Sequence, residues 1–169
     1  IMTDGYKTGH HLMYPENTSL VFSNFTPRGV KYMPEEAKDI VVFGVQYTLQ
    51  RIVDLFDEHF FMSKRRDDLK KEFSLDSELS TSVYKNALEE IMSSIKATLD
   101  SYTGSNYNVS HFEELWDLGY LPIKIRALEE GIVIKPGIPV LTYHNTTDRK
   151  FFWVTNFLET LISAELWKP

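Results

Sequence analysis

Apolar residues recur along this chain with two different periods, and the change between them divides it. Between Phe43 and Phe61, the positions Val45, Leu49, Ile52, Val53, Phe56 and Phe60 return every three or four residues. That spacing predicts a helix with one apolar face. Val83, Ala87, Ile91, Ile95 and Leu99 repeat it, and SYTGSN closes that second helix. KRRDDLKKEF, residues 64–73, reads as a further helix with a solvated face of mixed charge. His111 to Leu118 forms a short amphipathic helix before Gly119 and Pro122. The period then drops to two. IKIRAL, IVIK and VLTYHN alternate, separated by EEG and PGIP, which predicts three short strands in an antiparallel meander. LVFSNF, Leu20 to Phe25, is an earlier strand bounded by ENTS and TPRG. FFWVTNFLETLISAELW returns to helical spacing through Phe152, Phe157, Leu158, Leu161, Ile162 and Leu166. At the front, an apolar Ile1-Met2 pair precedes a brief helix from about Gly5 to Tyr14, with Thr3 and Asp4 as caps and Pro15 as its stop. The elements add up to an α+β fold, a mostly antiparallel sheet covered by helices, in a single domain over residues 1–169. Phe151, Phe152, Trp153 and Phe157 crowd the start of the last helix, more than one face can bury, so an exposed aromatic surface prone to association is expected there.

Composition narrows the class. The 169 residues are 43% hydrophobic and 14% aromatic, enough for a packed core in one domain. Twenty-four acidic against 18 basic side chains leave a net charge of −6, which argues against a nucleic-acid partner held through phosphates. There is no cysteine, hence no disulfide framework and no thiolate chemistry, and a cytoplasmic location fits. No apolar run reaches the roughly 20 residues of a membrane helix, and no basic-then-apolar leader opens the chain. The start at Ile1, without an initiator Met, suggests that a few residues precede it.

Common catalytic signatures are missing: there is no phosphate-binding glycine loop, no HExxH and no GxSxG. His10, His11, His59, His111 and His144 are spread over different elements. Adjacent helical positions diverge by about 100°, so His10 and His11 cannot face one ligand and structural roles suit them better. TDGYK and TPRG hold the two candidate sites. The phenol of Tyr6, beside flexible Gly5, can offer a flat face for stacking, worth about 0.5–1.5 kcal/mol. Asp4 can accept hydrogen bonds from an amide or a hydroxyl. The plainer alternative makes Asp4 a helix cap and packs Tyr6 on the body. Arg28 stands on a Pro/Gly turn, where its planar fork suits phosphate or carboxylate; its plainer alternative is an exposed loop arginine. Glu129 and Glu130 fall in a turn between strands, where they only solvate it.

Six blocks follow one another in order: TDGYKTGH, YPENTS, VFSNFTPR, VVFGVQYTLQ, LPIKIRALEEGIVIKPGIPVL and WVTNFLETLISAELWKP. No block is decisive alone. The ordered set resembles the amino-terminal part of the nicotinamide phosphoribosyltransferase family over nearly the whole chain, least between about Met62 and Ser110. The family's Thr-Asp-Ser-Tyr-Lys has Gly5 in place of serine here, and its Phe-x-x-Arg element stands as Phe25 to Arg28. The sibling nicotinate phosphoribosyltransferases share the LPIKIRA and PGIPVL segments but fit less well at the opening and around FGVQY.

The resemblance implies a pentosyltransferase of NAD salvage. Such an enzyme joins nicotinamide to phosphoribosyl pyrophosphate, giving nicotinamide mononucleotide and pyrophosphate, with Mg²⁺ bound alongside the phosphoribosyl donor and ATP hydrolysis optional. It also implies a homodimer with active sites at the subunit interface. There Tyr6 stacks on the pyridine ring across the dimer, Asp4 lies close by and Arg28 reaches the nucleotide phosphates. The chemistry wants such groups, since a ribosyl cation-like state with a leaving pyrophosphate needs a positioned flat base and neutralised oxygens. Asp4, if near the ring substituent, would repel the carboxylate of nicotinate and tolerate an amide. The catalytic residues, with those that bind the ribose and complete the ring sandwich, are expected beyond Pro169 in an α/β barrel. The chain thus reads as an amino-terminal fragment, inactive by itself. Two alternatives stand: nicotinate phosphoribosyltransferase, and a non-catalytic interaction module docking through the FFWVTNFLETL helix.

Overall fold

Among the described residues the strands form two small antiparallel sheets. A computed structural model of the chain describes residues 3–29, 31–32, 34, 36, 38–62, 67–68 and 77–166, with backbone only for 77–80. Strands β1 (Phe22–Phe25) and β2 (Ile40–Val41) precede helices α1 (Val45–Leu55), α2 (Ser77–Thr103) and α3 (Ser110–Leu118); strands β3 (Ile123–Ala127), β4 (Val133–Ile134) and β5 (Leu141–Asn145) follow, and helices α4 (Trp153–Phe157) and α5 (Glu159–Leu166) come last. A 3-10 helix covers Gly5–Leu12 and another Arg149–Phe151, and a wide π-helical turn, Phe56–Phe60, ends α1. Ile1, Met2, Trp167 and the chain end lie outside the described residues, as does KRRDDLKKEF apart from Asp67 and Asp68, both helical. By their contacts, the described residues of 51–121 form one compact unit and those of 2–50 with 122–169 a second.

The second unit carries both candidate sites. Its main sheet has the order β1-β5-β3, antiparallel throughout, with Phe22 opposite His144 and Lys124 opposite the other side of His144. β5 is central because its alternation buries Leu141, Tyr143 and Asn145 on one face. The expected meander is not formed. β3 pairs directly with β5, and β4 leaves to pair with β2, Ile40 opposite Ile134. The EEG turn is what diverts it. Gly131 adopts φ 90°, open to glycine without strain, and donates its N–H to Val42 O at 2.8 Å, while Val42 N–H reaches Ile132 O at 3.0 Å. Those bonds commit IVIK to the segment ahead of α1 instead of to its sequence neighbours.

α4 and α5 behave as nearly one helix, as the spacing predicts. The interruption at Leu158 is a single residue, and the bonds Leu158 N–H to Val154 O (3.1 Å) and Ile162 N–H to Leu158 O (2.9 Å) run through it. The exposed aromatic cluster is absent. Phe151 and Trp153 are buried, Phe152 meets Tyr14 edge-on at 5.1 Å, and Phe157 meets Trp153 at 5.5 Å. The 3-10 turn at Arg149–Phe151 swings Phe151 inward before α4 starts, and the 3-10 helix Gly5–Leu12 packs against α4. Two faces, not one, take up the four rings.

The first unit is helical. Ala87, Met92 and Leu99 of α2 and Phe112, Leu115 and Trp116 of α3 are buried, with Tyr84 edge-on to Trp116 at 4.4 Å. Gly104 (φ 66°) ends α2 and Gly119 (φ 81°) ends α3, each in the left-handed conformation that stops a helix cheaply only at glycine. Asp100 accepts the Tyr107 N–H at 2.6 Å and pairs with Lys96 at 2.8 Å, tying the chain after α2 back to its last turn.

Candidate functional site

The opening segment is bolted to the α4–α5 junction. Thr3 Oγ1 donates to Phe157 O at 3.0 Å. Asp4 N–H donates to Thr160 Oγ1 at 3.1 Å, and Thr160 Oγ1 donates back to Asp4 Oδ2 at 2.7 Å. Asp4 does stand at the N-cap position, and its carbonyl accepts the Lys7 N–H at 2.9 Å, but its carboxylate makes no capping bond. The carboxylate instead gathers Thr160, the Tyr6 hydroxyl at 3.3 Å and the Lys7 ammonium at 3.4 Å. The Thr160 hydrogen bond chiefly, and the Lys7 charge after it, hold the Asp4 carboxyl below the ordinary carboxylate range despite some desolvation. It is therefore an anion at neutral pH.

Tyr6 combines exposure with restraint. The residue is 64% exposed, yet its hydroxyl is held by Asp4 and its ring leans on His10, centroids 5.3 Å apart. His10 in turn meets Tyr14 edge-on at 6.4 Å, and the Tyr14 hydroxyl is hydrogen-bonded by the Asn156 amide. A ladder of rings thus rises from α4 and ends in a solvent-facing phenol. A flat aromatic face presented on a stiff mount can stack on a planar ligand without first losing much rotamer freedom.

Arg28 lies on the second feature, a cleft of about 460 Å³ lined by Asn24 to Gly29 with Tyr143, Glu159, Ile162 and Ser163. Its turn is fixed from below. Gly137 N–H donates to Pro27 O at 2.8 Å, Val140 N–H donates to Phe25 O at 2.8 Å, and Pro27 itself is buried. Arg28 is exposed and makes no ion pair with a described residue. Burial pushes the Tyr143 phenol up to about 12, so it remains a neutral donor in the cleft wall. A guanidinium held on a rigid turn suits an oxyanion, although the Glu159 carboxylate also lines this cleft.

Glu159 joins the two features. Its Oε2 pairs with the Lys7 ammonium at 3.0 Å, and the same residue lines the Arg28 cleft. Asp4, Tyr6 and Arg28 are thus brought into one neighbourhood through Lys7, Glu159 and Thr160. The profile described as "Nicotinamide phosphoribosyltransferase, N-terminal domain" matches residues 1–99. The chain belongs to that family. A protein of Acinetobacter baylyi named nicotinamide phosphoribosyltransferase is 38% identical to it across 98% of this chain and 29% of that protein. One of the same name from Xanthomonas campestris pv. campestris is 30% identical across 99% of this chain and 28% of that protein. This nicotinamide phosphoribosyltransferase family chain thus spans less than a third of the curated relatives it matches.

Within the family chain, the remaining candidates have structural work. His11 Nδ1 is bonded to Thr8 O at 3.1 Å, and burial lowers its pKa. His111 stacks against Phe112 at 4.3 Å, and His144 Nδ1 lies 2.9 Å from Asn145 O. Glu130 does more than solvate a turn: its Oε1 accepts the Gln46 N–H at 2.8 Å at the start of α1. A carboxylate at that end satisfies an otherwise orphaned donor and complements the helix dipole. Glu159 and Thr160 escaped the sequence reading because nothing marks them locally. They sit in a helix that reads as core, more than 150 residues from the segment they serve. The one available signal was a Glu-Thr pair interrupting an apolar stripe.

Proposed function

We propose that this chain is the part of a nicotinamide phosphoribosyltransferase that stacks on nicotinamide and holds the phosphates of the phosphoribosyl group. The whole enzyme would then make nicotinamide mononucleotide and pyrophosphate from nicotinamide and phosphoribosyl pyrophosphate. The observation that carries this reading is Tyr6, exposed but tethered by Asp4 and His10, one ion pair and one residue removed from the Arg28 cleft. The Tyr6 ring offers a face for the pyridine. Arg28 offers two parallel donors for a phosphate. The ionised Asp4 favours an uncharged amide over the carboxylate of nicotinate near the ring. Among the described residues, no group of three His, Asp or Glu side chains fits a metal ion. On the family resemblance, Mg²⁺ is assigned to the diphosphate of the phosphoribosyl donor and ATP hydrolysis to an optional drive.

The reading includes a cytoplasmic homodimer in which Tyr6 completes a site on the partner subunit. The exposure of Tyr6 and Leu12 on one short element, and of Met13 directly after it, supports that arrangement. Steady-state kinetics of the intact enzyme test the assignment. Tyr6→Ala should raise the nicotinamide KM by about two- to tenfold, consistent with the loss of one stacking contact. Tyr6→Phe should change it little, Arg28→Ala should raise the phosphoribosyl pyrophosphate KM instead, and Asp4→Asn should admit nicotinate. A nicotinamide KM unmoved by Tyr6→Ala would remove the stacking role.

A further inference from the structure

Glu159 is an unexpected wall for a cleft meant to take phosphates. Its side chain is 46% exposed and lines the same space as Arg28, where a bare carboxylate would oppose the charge that Arg28 attracts. Lys7 answers it. The Lys7 side chain is only 3% exposed, with its ammonium 3.0 Å from Glu159 Oε2 and 3.4 Å from Asp4 Oδ2. A buried ammonium is costly unless paired, so this one holds its two carboxylates tightly. We propose that Lys7 is a positioning residue that neutralises and fixes Glu159, so that a diphosphate can bind beside Arg28 while the same ammonium steadies Asp4 under Tyr6. This rests on the phosphate reading of the cleft and adds the group that makes a carboxylate tolerable within it. Glu159 in turn holds the Lys7 side chain in place, and its exposed side remains an acceptor for hydroxyl groups of the ligand.

The test is calorimetric titration of inorganic pyrophosphate into the full-length protein carrying this chain, with foldedness checked by circular dichroism. Arg28→Ala should weaken binding, and Lys7→Met should weaken it about tenfold by leaving Glu159 as an uncompensated negative charge. Adding Glu159→Gln to Lys7→Met should restore most of the loss. A folded Lys7→Met protein that binds pyrophosphate like the wild type overturns the inference. So does a double variant that stays weak, since that would mark Lys7 as merely structural. Loss of binding in Arg28→Ala with none in Lys7→Met leaves the phosphate reading standing and removes only this one. Unchanged binding in Arg28→Ala removes both. If Lys7→Met does not fold, Glu159→Gln alone decides: it should tighten pyrophosphate binding, and equal or weaker binding counts against the inference.

Discussion

Asp4 shows how much a single side chain can mean here. Its position ahead of a helix suggests a cap, but its carboxylate reaches across to Thr160 and its backbone alone serves the helix. The lowered pKa gives that choice a pH signature. A carboxyl held below its ordinary value of 3.8 adds stability that is fully present above that value and is lost as pH falls through the folded-state pKa. Asp4→Asn should therefore lower the thermal unfolding midpoint at pH 7, and the gap to wild type should close as pH drops below the ordinary carboxylate range. A gap of constant size down to pH 3 would show that the ionised form gains nothing from Thr160 and Lys7. Glu159 makes the complementary point. Nothing in its sequence context marks it, and only the fold pairs it with Lys7 and sets it in the lining of the Arg28 cleft.

Among the elements, the helices were legible and the pairing of the strands was not. α1, α2 and α3 follow the predicted apolar stripes because a helix is written locally, in spacing and in terminal glycines such as Gly104 and Gly119. Strand pairing depends on partners far along the chain, so three alternating runs looked like a meander until β4 found β2. Asn145 illustrates a long-range contact that no periodicity announces. It is buried at the end of β5, where its Oδ1 accepts the Val21 N–H and its Nδ2 donates to Ser19 O, both at 2.9 Å. This side chain docks the approach to β1 onto the central strand. Asn145→Ala should cost about 2 kcal/mol in chemical denaturation by leaving buried backbone groups unsatisfied. The neighbouring exposed Thr146→Ala should change stability by less than about 0.5 kcal/mol. Equal effects from the two would deny Asn145 its bridging role.

For the molecule as a whole, the described residues contain no helix long and apolar enough to cross a membrane, and the candidate site lies wholly within one of the two compact units. On the proposed reading, groups elsewhere in the enzyme hold the ribose and close over the nicotinamide. The purified 169-residue chain should then form no nicotinamide mononucleotide when given nicotinamide, phosphoribosyl pyrophosphate and Mg²⁺. Product detected by chromatography above a no-protein blank would overturn that division of labour. By itself the sequence determined the α+β class, the helices, the family, and three residues worth testing, Asp4, Tyr6 and Arg28, because periodicity, turn chemistry and ordered motifs are local. Only the tertiary structure decided that the aromatic cluster turns inward, that β4 pairs with β2, and that Lys7, Glu159 and Thr160 join Asp4 to the Arg28 cleft. Hydrogen bonds and ion pairs act over a few ångströms of space, and residues more than 150 positions apart come within that range only once the chain has folded.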